Sequence, residues 1–163
     1  RNVIHHPATA EFATMVRESF LQQGLMAHLG AQLSAIEPGF VEIRLAHQTN
    51  LLQQHGLFHG GATSAILDSA GGYAAFSLFE PGDEILTVEY KVNFIAPAIG
   101  DEIVAQGEVV KSGKRLSVTR GEAYVTKDGQ KTTCAVMQQT LTRMIQGSNG
   151  KNSSKTSDLK SLK

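Results

Sequence analysis

The chain has 163 residues, and its 15 basic and 15 acidic side chains cancel in formal net charge. That length is enough for one domain to bury a core without disulfides or a structural metal, and the balanced charge disfavours nucleic acid and anionic membranes as partners. Cys134 is the single cysteine, which excludes an internal disulfide, and residues 1–11 lack the basic and apolar pattern of an export signal. Together these features predict a cytoplasmic location.

The first predicted element is an amphipathic packing helix over residues 8–27. Apolar residues recur there at spacings of three and four, and Gly24 predicts its end. A half-buried strand is predicted at residues 40–45, where apolar and more polar side chains alternate. Residues 29–36 are its expected partner.

Residues 60–79 predict a long central helix that is apolar on nearly every side. Asp68 is the only formal charge from His59 to Phe79, and small residues such as Gly71 and Gly72 would let strands approach the helix closely. The content of Ser, Gly and Ala makes this helix too weakly hydrophobic for a membrane span, so we expect it to be buried in protein. A strongly curved antiparallel sheet could cover such a helix.

The C-terminal half predicts four strands joined by short turns. In the first, residues 86–94, strict alternation predicts one face with Leu86, Val88, Tyr90, Val92 and Phe94 and another with Thr87, Glu89, Lys91 and Asn93. The other three are predicted at 103–111, 116–126 and 132–143, with hairpin turns at Ser112-Gly113 and Asp128-Gly129. The order indicates a single α+β domain over residues 1–145, and the polar tail, residues 146–163, is expected to be disordered.

The start of the central helix carries the main signal for a reaction site. Gly60 and Gly61 leave backbone N–H groups unscreened at the positive end of the helix, where they could hold a polarised carbonyl oxygen as an oxyanion hole does. A lone, buried Asp68 two turns later is a costly group of the kind that chemistry retains. Two alternatives stay open: the glycines could relieve crowding at a tight turn, and Asp68 could be a buried polar group that the backbone satisfies.

The spacing of these groups implies a second chain. Eight residues of helix separate Gly60 from Asp68 by roughly 12 Å, because each residue rises about 1.5 Å. That distance is too long for both groups to act on one carbon. If they share a site, Asp68 must come from a twofold-related protomer, which predicts a homodimer with two equivalent sites.

Three polar residues in the loop before the helix give weaker signals. The amide of Gln53 could orient a water or hold the substrate. His55 and His59 have the spacing of metal ligands on a helix, but intervening glycines break helicity. We therefore expect turn-stabilising hydrogen bonds from these histidines and predict no metal site.

A compact basic spot is predicted at the tip of the Ser112-Gly113 hairpin. Lys111, Lys114 and Arg115 surround this turn on a chain that is otherwise neutral. The spot could dock a phosphorylated carrier such as coenzyme A. The alternative is that these side chains only form a solvated surface.

The combination of Gln53, the run His55-Gly56-Leu57-Phe58-His59-Gly60-Gly61, Asp68 and the strand into Phe94-Ile95-Ala96-Pro97-Ala98 resembles the PaaI-like branch of the hotdog-fold acyl-CoA thioesterases. The resemblance covers residues 25–143. It implies a six-stranded antiparallel sheet wrapped around the central helix, assembly into dimers or dimers of dimers, and hydrolysis of a thioester to a free acid and coenzyme A. Coenzyme A is then part of the substrate, and no cofactor is implied.

The resemblance also implies roles for individual residues. Asp68 would activate water or attack the thioester, the Gly60 N–H would polarise its carbonyl, Gln53 would position the water, and His59 would lie against the carbonyl or shape the turn. The path of coenzyme A would be lined by Gly61, Thr87, Glu89, Phe94, Ile95, Ala96, Pro97 and the hairpin residues Lys111, Ser112, Gly113, Lys114 and Arg115.

The same resemblance leaves other functions and the acyl group open, since hotdog domains also act as dehydratases, hydratases and acyl-CoA sensors. A dehydratase would need a histidine and an acid placed about the β-carbon of the acyl group instead of the carbonyl. A sensor would need an output module, such as a DNA-binding helix pair, and none is visible in the sequence. Phe58, Tyr73 and Phe76 are expected to build the acyl pocket at a dimer seam, for an aromatic or an aliphatic group.

Overall fold

The computed structural model of the chain describes residues 4–145. These residues form helices α1 (Phe12–Leu21), α2 (Gly24–Leu29) and α3 (Gly60–Phe76) and strands β1 (Gln32–Glu37), β2 (Phe40–Ala46), β3 (Glu84–Phe94), β4 (Glu102–Ser112), β5 (Leu116–Lys127) and β6 (Gln130–Met144). All strand pairs are antiparallel, and the sheet order is β1-β2-β4-β5-β6-β3. The tail that was predicted to be disordered, residues 146–163, lies outside the described residues.

The prediction of a single N-terminal helix is wrong, because the chain breaks between α1 and α2. Gln23 has extended backbone angles (φ −77°, ψ 104°) at the N-cap of α2, so Gly24 begins a helix instead of ending one. α2 ends at Gly30, whose φ of 72° is left-handed. The break lets α1 bury Phe20 while α2 separately buries Met26.

The curved sheet packs closely around α3, as predicted. Ile66, Leu67 and Ala70 are fully buried in the core that α3 shares with the sheet. A Cβ added at Gly107 of β4 would lie 2.3 Å from the backbone carbon of Ala70, so the strand touches the helix backbone itself. Within residues 4–145, no helix combines the length and apolarity that a membrane span requires.

β3 lies at one edge of the sheet, and its predicted side-chain alternation holds from Glu89 to Phe94 but is broken before Glu89. The register with β6 shifts between Thr87 and Glu89, so Val88 is an extra residue in a β-bulge. Thr87 donates a hydrogen bond to Asp68 on α3, and the Phe94 ring packs against Gly60 at the start of α3. Residues seven apart would face opposite sides of a regular strand, so the bulge is what turns both of these toward α3.

Candidate active site

The first turn of α3 is shaped by a histidine cap. His59 is the N-cap residue, and its Nδ1 accepts a hydrogen bond from the Gly61 N–H at 2.8 Å. The Gly60 N–H has no hydrogen-bond acceptor within residues 4–145. Of the two predicted oxyanion donors, Gly61 is therefore engaged by the cap, and Gly60 is available at the positive end of the helix.

The loop before α3 is held against the segment that follows β3. The Phe58 N–H donates to the Ala98 carbonyl at 3.0 Å, and a Cβ on Gly60 would lie 3.0 Å from the Phe94 ring. The amide oxygen of Gln53 accepts a hydrogen bond from the His55 N–H, so this side chain also shapes the loop. The structure thus brings Gln53, Gly60 and the Phe94–Ala98 segment to one end of α3.

Asp68 is partly exposed and has partners, so the expectation of an isolated, buried acid is wrong. Thr87 Oγ1 of β3 donates to Asp68 Oδ1 at 2.7 Å, and Gln139 Nε2 of β6 donates to the same oxygen at 2.9 Å. Gln139 Nε2 also donates to the Asp68 backbone carbonyl at 3.2 Å. In the part of the chain that the structure describes, Oδ2 of Asp68 accepts no hydrogen bond. One carboxylate oxygen is therefore fixed, and the other is available.

A cavity of about 470 Å³ opens beside Asp68, between α1, α3 and the start of β3. Tyr73 and Phe76, two of the residues expected in the acyl pocket, line this cavity. Phe58 does not, because it is 4% exposed in the core, edge-on to the His47 ring. The Tyr73 hydroxyl lies 3.1 Å from Ser19 Oγ, and burial raises the pKa of Tyr73, so this group stays a neutral hydroxyl at neutral pH.

The predicted coenzyme A residues divide between the two ends of the sheet. Leu116, beside the basic hairpin, pairs with Thr142, which pairs on its other side with Leu86 at the start of β3. The hairpin residues Lys111–Arg115 therefore lie at the Asp68 end of the sheet. Phe94 lies eight residues further along β3, roughly 25 Å away at about 3.3 Å per residue.

Thr87 and Glu89, which were predicted to line one path, lie on opposite faces of the sheet. Thr87 faces Asp68 on the helix side. Glu89 accepts a hydrogen bond from Thr140, the neighbour of the helix-facing Gln139, and so lies on the outer face. The bulge at Val88 separates the two residues.

The sequence interpretation missed a group of buried polar side chains behind Asp68. Gln139 is 2% exposed, and Thr119 and Ser117 on β5 are fully buried. The sequence signal that could have revealed this group was the position of Gln139. It lies between Met137 and Leu141 in the alternating series of β6 that faces inward, and both of these neighbours in the series are apolar and buried.

The arrangement can bind a carbonyl oxygen at one end of α3 and present a carboxylate further along the same helix. Gly60 and Asp68 are roughly 12 Å apart by helical rise, so the two groups of one chain cannot reach one carbonyl carbon. Among residues 4–145, no group of three or more His, Cys, Asp or Glu side chains is placed to hold a metal ion.

Comparison with known proteins gives consistent matches. Residues 55–132 match the model of the thioesterase superfamily. The crystal structure of a thioesterase family protein from Silicibacter pomeroyi superimposes with a TM-score of 0.81 and 46% identity, covering 82% of this chain and 98% of that one.

Two further matches extend this finding. An inferred esterase of Saccharolobus solfataricus is 30% identical over 120 residues, which cover 74% of this chain and 77% of that protein. The PaaI protein of the Escherichia coli phenylacetic acid degradation operon shares the fold, with a TM-score of 0.75 at 21% identity over 83% of this chain and 94% of that one. The sequence resemblance and the hotdog fold are confirmed. The chain belongs to the thioesterase superfamily, and this supports the predicted thioester hydrolase activity.

Proposed function

We propose that the protein hydrolyses acyl-CoA thioesters at a site shared by two protomers. The Gly60 N–H of one protomer holds the thioester carbonyl oxygen, and Asp68 of the other supplies the carboxylate. The observation that carries the proposal is the state of Asp68: Thr87 and Gln139 fix Oδ1 beside a cavity, and Oδ2 stays available for reaction.

The exposed edge of β3 supports a shared site. Leu86, Val88 and Phe94 are 54%, 59% and 55% exposed, on a strand that pairs with β6 alone among the described strands. An apolar, unpaired edge is suited to pairing with a second copy of the same strand. Antiparallel pairing would bring the Phe94 end of one β3 to the Leu86 end of the other, and so Gly60 of one protomer toward Asp68 of the other.

The same pairing accounts for the division of the substrate-binding residues between the two ends of the sheet. The basic hairpin Lys111–Arg115 lies at the Asp68 end, so it would meet the phosphates of a coenzyme A whose carbonyl is held by the other protomer. The acyl group would enter the cavity lined by Tyr73 and Phe76. Coenzyme A leaves as a product, and the reaction needs no separate cofactor.

The chemistry follows from these positions. Asp68 either takes a proton from an attacking water or attacks the carbonyl carbon itself, and negative charge develops on the carbonyl oxygen. The Gly60 N–H stabilises that charge, an effect worth about 3 kcal/mol for one well-placed donor. If Asp68 has taken the proton of the water, it returns that proton to the sulfur as the C–S bond breaks, and the free acid and the thiol of coenzyme A are released. If Asp68 has attacked the carbonyl carbon, the C–S bond breaks to give a thiolate and an acyl–Asp68 anhydride. Water then hydrolyses the anhydride to the free acid and the Asp68 carboxylate, and the released proton goes to the thiolate. His59 contributes by holding the first turn of α3 in place, and Gln53 by shaping the loop beside it.

The test is Asp68→Asn, which keeps the shape of the side chain and removes the carboxylate. We expect turnover to fall at least about a hundredfold, because the reacting group is lost and the fold is not. The measurement is thiol release from a panel of aromatic and aliphatic acyl-CoA substrates. Asp128→Asn, at an exposed hairpin turn with a φ of 50°, is the matched control, since asparagine tolerates this conformation.

Unchanged hydrolysis by Asp68→Asn on every thioester that the wild type cleaves would remove Asp68 from the mechanism. The same panel contains a 3-hydroxyacyl-CoA, for which an enoyl product in place of a released thiol would favour the dehydratase alternative.

A further inference from the structure

Gln139 reaches Asp68 from a strand that no sequence motif connects to it. The side chain is 2% exposed and lies beneath α3. Its Nε2 donates to Asp68 Oδ1 at 2.9 Å and to the Asp68 backbone carbonyl at 3.2 Å. A carboxylate and a carbonyl both only accept hydrogen bonds, so the NH₂ end of the amide must face Asp68 and the oxygen must face away.

The cost of this arrangement indicates that Gln139 does more than fill the core. Gln139 Oε1 and Thr119 Oγ1 are buried and have no hydrogen-bond partner among residues 4–145. A buried polar atom without a partner is destabilising, so an apolar side chain of the same volume would serve packing better.

The helix is also adapted to Gln139. A Cβ at Gly71 would lie 1.9 Å from Gln139 Oε1 and 2.7 Å from Thr119 Oγ1. Only glycine at position 71 leaves room for the amide in its observed place, although glycine inside a helix is unfavourable. The contact between Gln139 and Asp68 is therefore kept at two energetic costs. One is the unpartnered amide oxygen on β6, and the other is the glycine inside α3.

We propose that Gln139 is a positioning residue for Asp68. Together with Thr87 it fixes Oδ1, so that Oδ2 is the oxygen presented to the water or the carbonyl carbon. Gln139 touches no reacting atom, and the proposal rests on the proposed function because the residue acts through Asp68. A carboxylate free to rotate would spend only part of its time in the productive geometry, which lowers turnover more than substrate binding.

Gln139→Met tests the proposal, because methionine keeps the length and volume of the side chain and removes the donor. We expect kcat to fall at least about tenfold and KM to change by less than about threefold. In an Asp68→Asn background, Gln139→Met should cause no further loss, since the carboxylate on which it acts is gone. Ser117→Ala is the matched control, because this buried hydroxyl also lacks a partner in the described residues, on the strand next to Gln139, and does not hydrogen-bond Asp68.

The outcomes separate this inference from the proposed function. Wild-type kcat in Gln139→Met, with Asp68→Asn inactive, overturns the positioning role and leaves the hydrolase mechanism intact. An equal further loss in the double variant also overturns it, because a purely structural role would add to the Asp68 effect. Activity retained by Asp68→Asn overturns the proposed function instead. If circular dichroism shows that Gln139→Met does not fold, Gln139→Asn, which keeps the amide but withdraws it from Asp68, is expected to lose kcat in the same way.

Discussion

The central helix contains two glycine pairs, and they differ in what the missing side chain allows. In the first turn, the Gly60 N–H has no acceptor among residues 4–145, and the Gly61 N–H donates to the His59 cap. At Gly71, in the middle of the helix, the missing side chain gives room to Gln139, whereas an added Cβ at Gly72 would only touch Leu141 at 3.9 Å. The same dipeptide thus provides a backbone donor at one place and close packing at the other.

The largest effect is expected from Gly60→Pro, which removes the proposed oxyanion donor. Proline is favoured at the first position of a helix, and His59 before it already has extended angles (φ −64°, ψ 134°) that proline requires of its neighbour. We expect turnover to fall about a hundredfold, with little change in melting temperature. Gly60→Ala is the matched control, because it adds the same Cβ beside Phe94 and keeps the N–H.

Co-expression of Gly60→Pro and Asp68→Asn chains, measured by thiol release, sharpens the result. A mixed dimer with shared sites contains one site with both defects and one with neither, so activity should return to the mixed dimers at about half the wild-type level. Mixed dimers with activity no higher than that of the single variants would contradict the shared site.

A smaller effect, on stability, is expected when alanine replaces a glycine of the second pair, Gly71 and Gly72. Overpacking at Gly71 costs about 1–3 kcal/mol, and the better helix propensity of alanine returns about 1 kcal/mol, so Gly71→Ala should lose up to about 2 kcal/mol. Gly72→Ala, whose Cβ finds ordinary contact distances, should gain up to about 1 kcal/mol. Urea denaturation of both variants measures the difference, and equal stabilities would mean that Gln139 does not need the space at Gly71.

The smallest effect is expected from His59→Ala, which removes the cap of the first pair. Loss of an N-cap acceptor costs about 1 kcal/mol, and His59→Asn should recover most of it because asparagine is also a good cap. The free energy of unfolding in urea is the measurement. A loss in His59→Ala that His59→Asn does not reduce would show that the ring contributes by packing instead of by capping.

Local signals in the sequence were enough to predict most of the fold. The turn at Asp128-Gly129 has positive φ at both residues, 50° and 76°, as the hairpin motif requires. The long apolar helix and the four strand segments of the C-terminal half predicted a helix packed against an antiparallel sheet. The break after α1 was missed because Gly24 is as compatible with a helix start as with a helix end.

The site could be predicted only where its residues are close in sequence. Gly60 and Asp68 lie on one helix, so their separation followed from helical rise. Gln139 lies 71 residues from Asp68, and its contact depends on the strand order, which places β6 next to β3 beneath α3. The environment of Asp68 was misjudged for the same reason, because both of its side-chain donors come from strands that no local pattern connects to the helix.

The bulge at Val88 has a consequence for changes in chain length. Because side chains alternate along a strand, Thr87 and Phe94 both face α3 only while one surplus residue lies between them. Deleting or inserting a single residue in this interval would move either the hydroxyl that holds Asp68 or the ring that covers Gly60 to the opposite side. The number of residues between Thr87 and Phe94 therefore sets which side chains meet the two ends of the candidate site, in a way that the length of a surface loop does not.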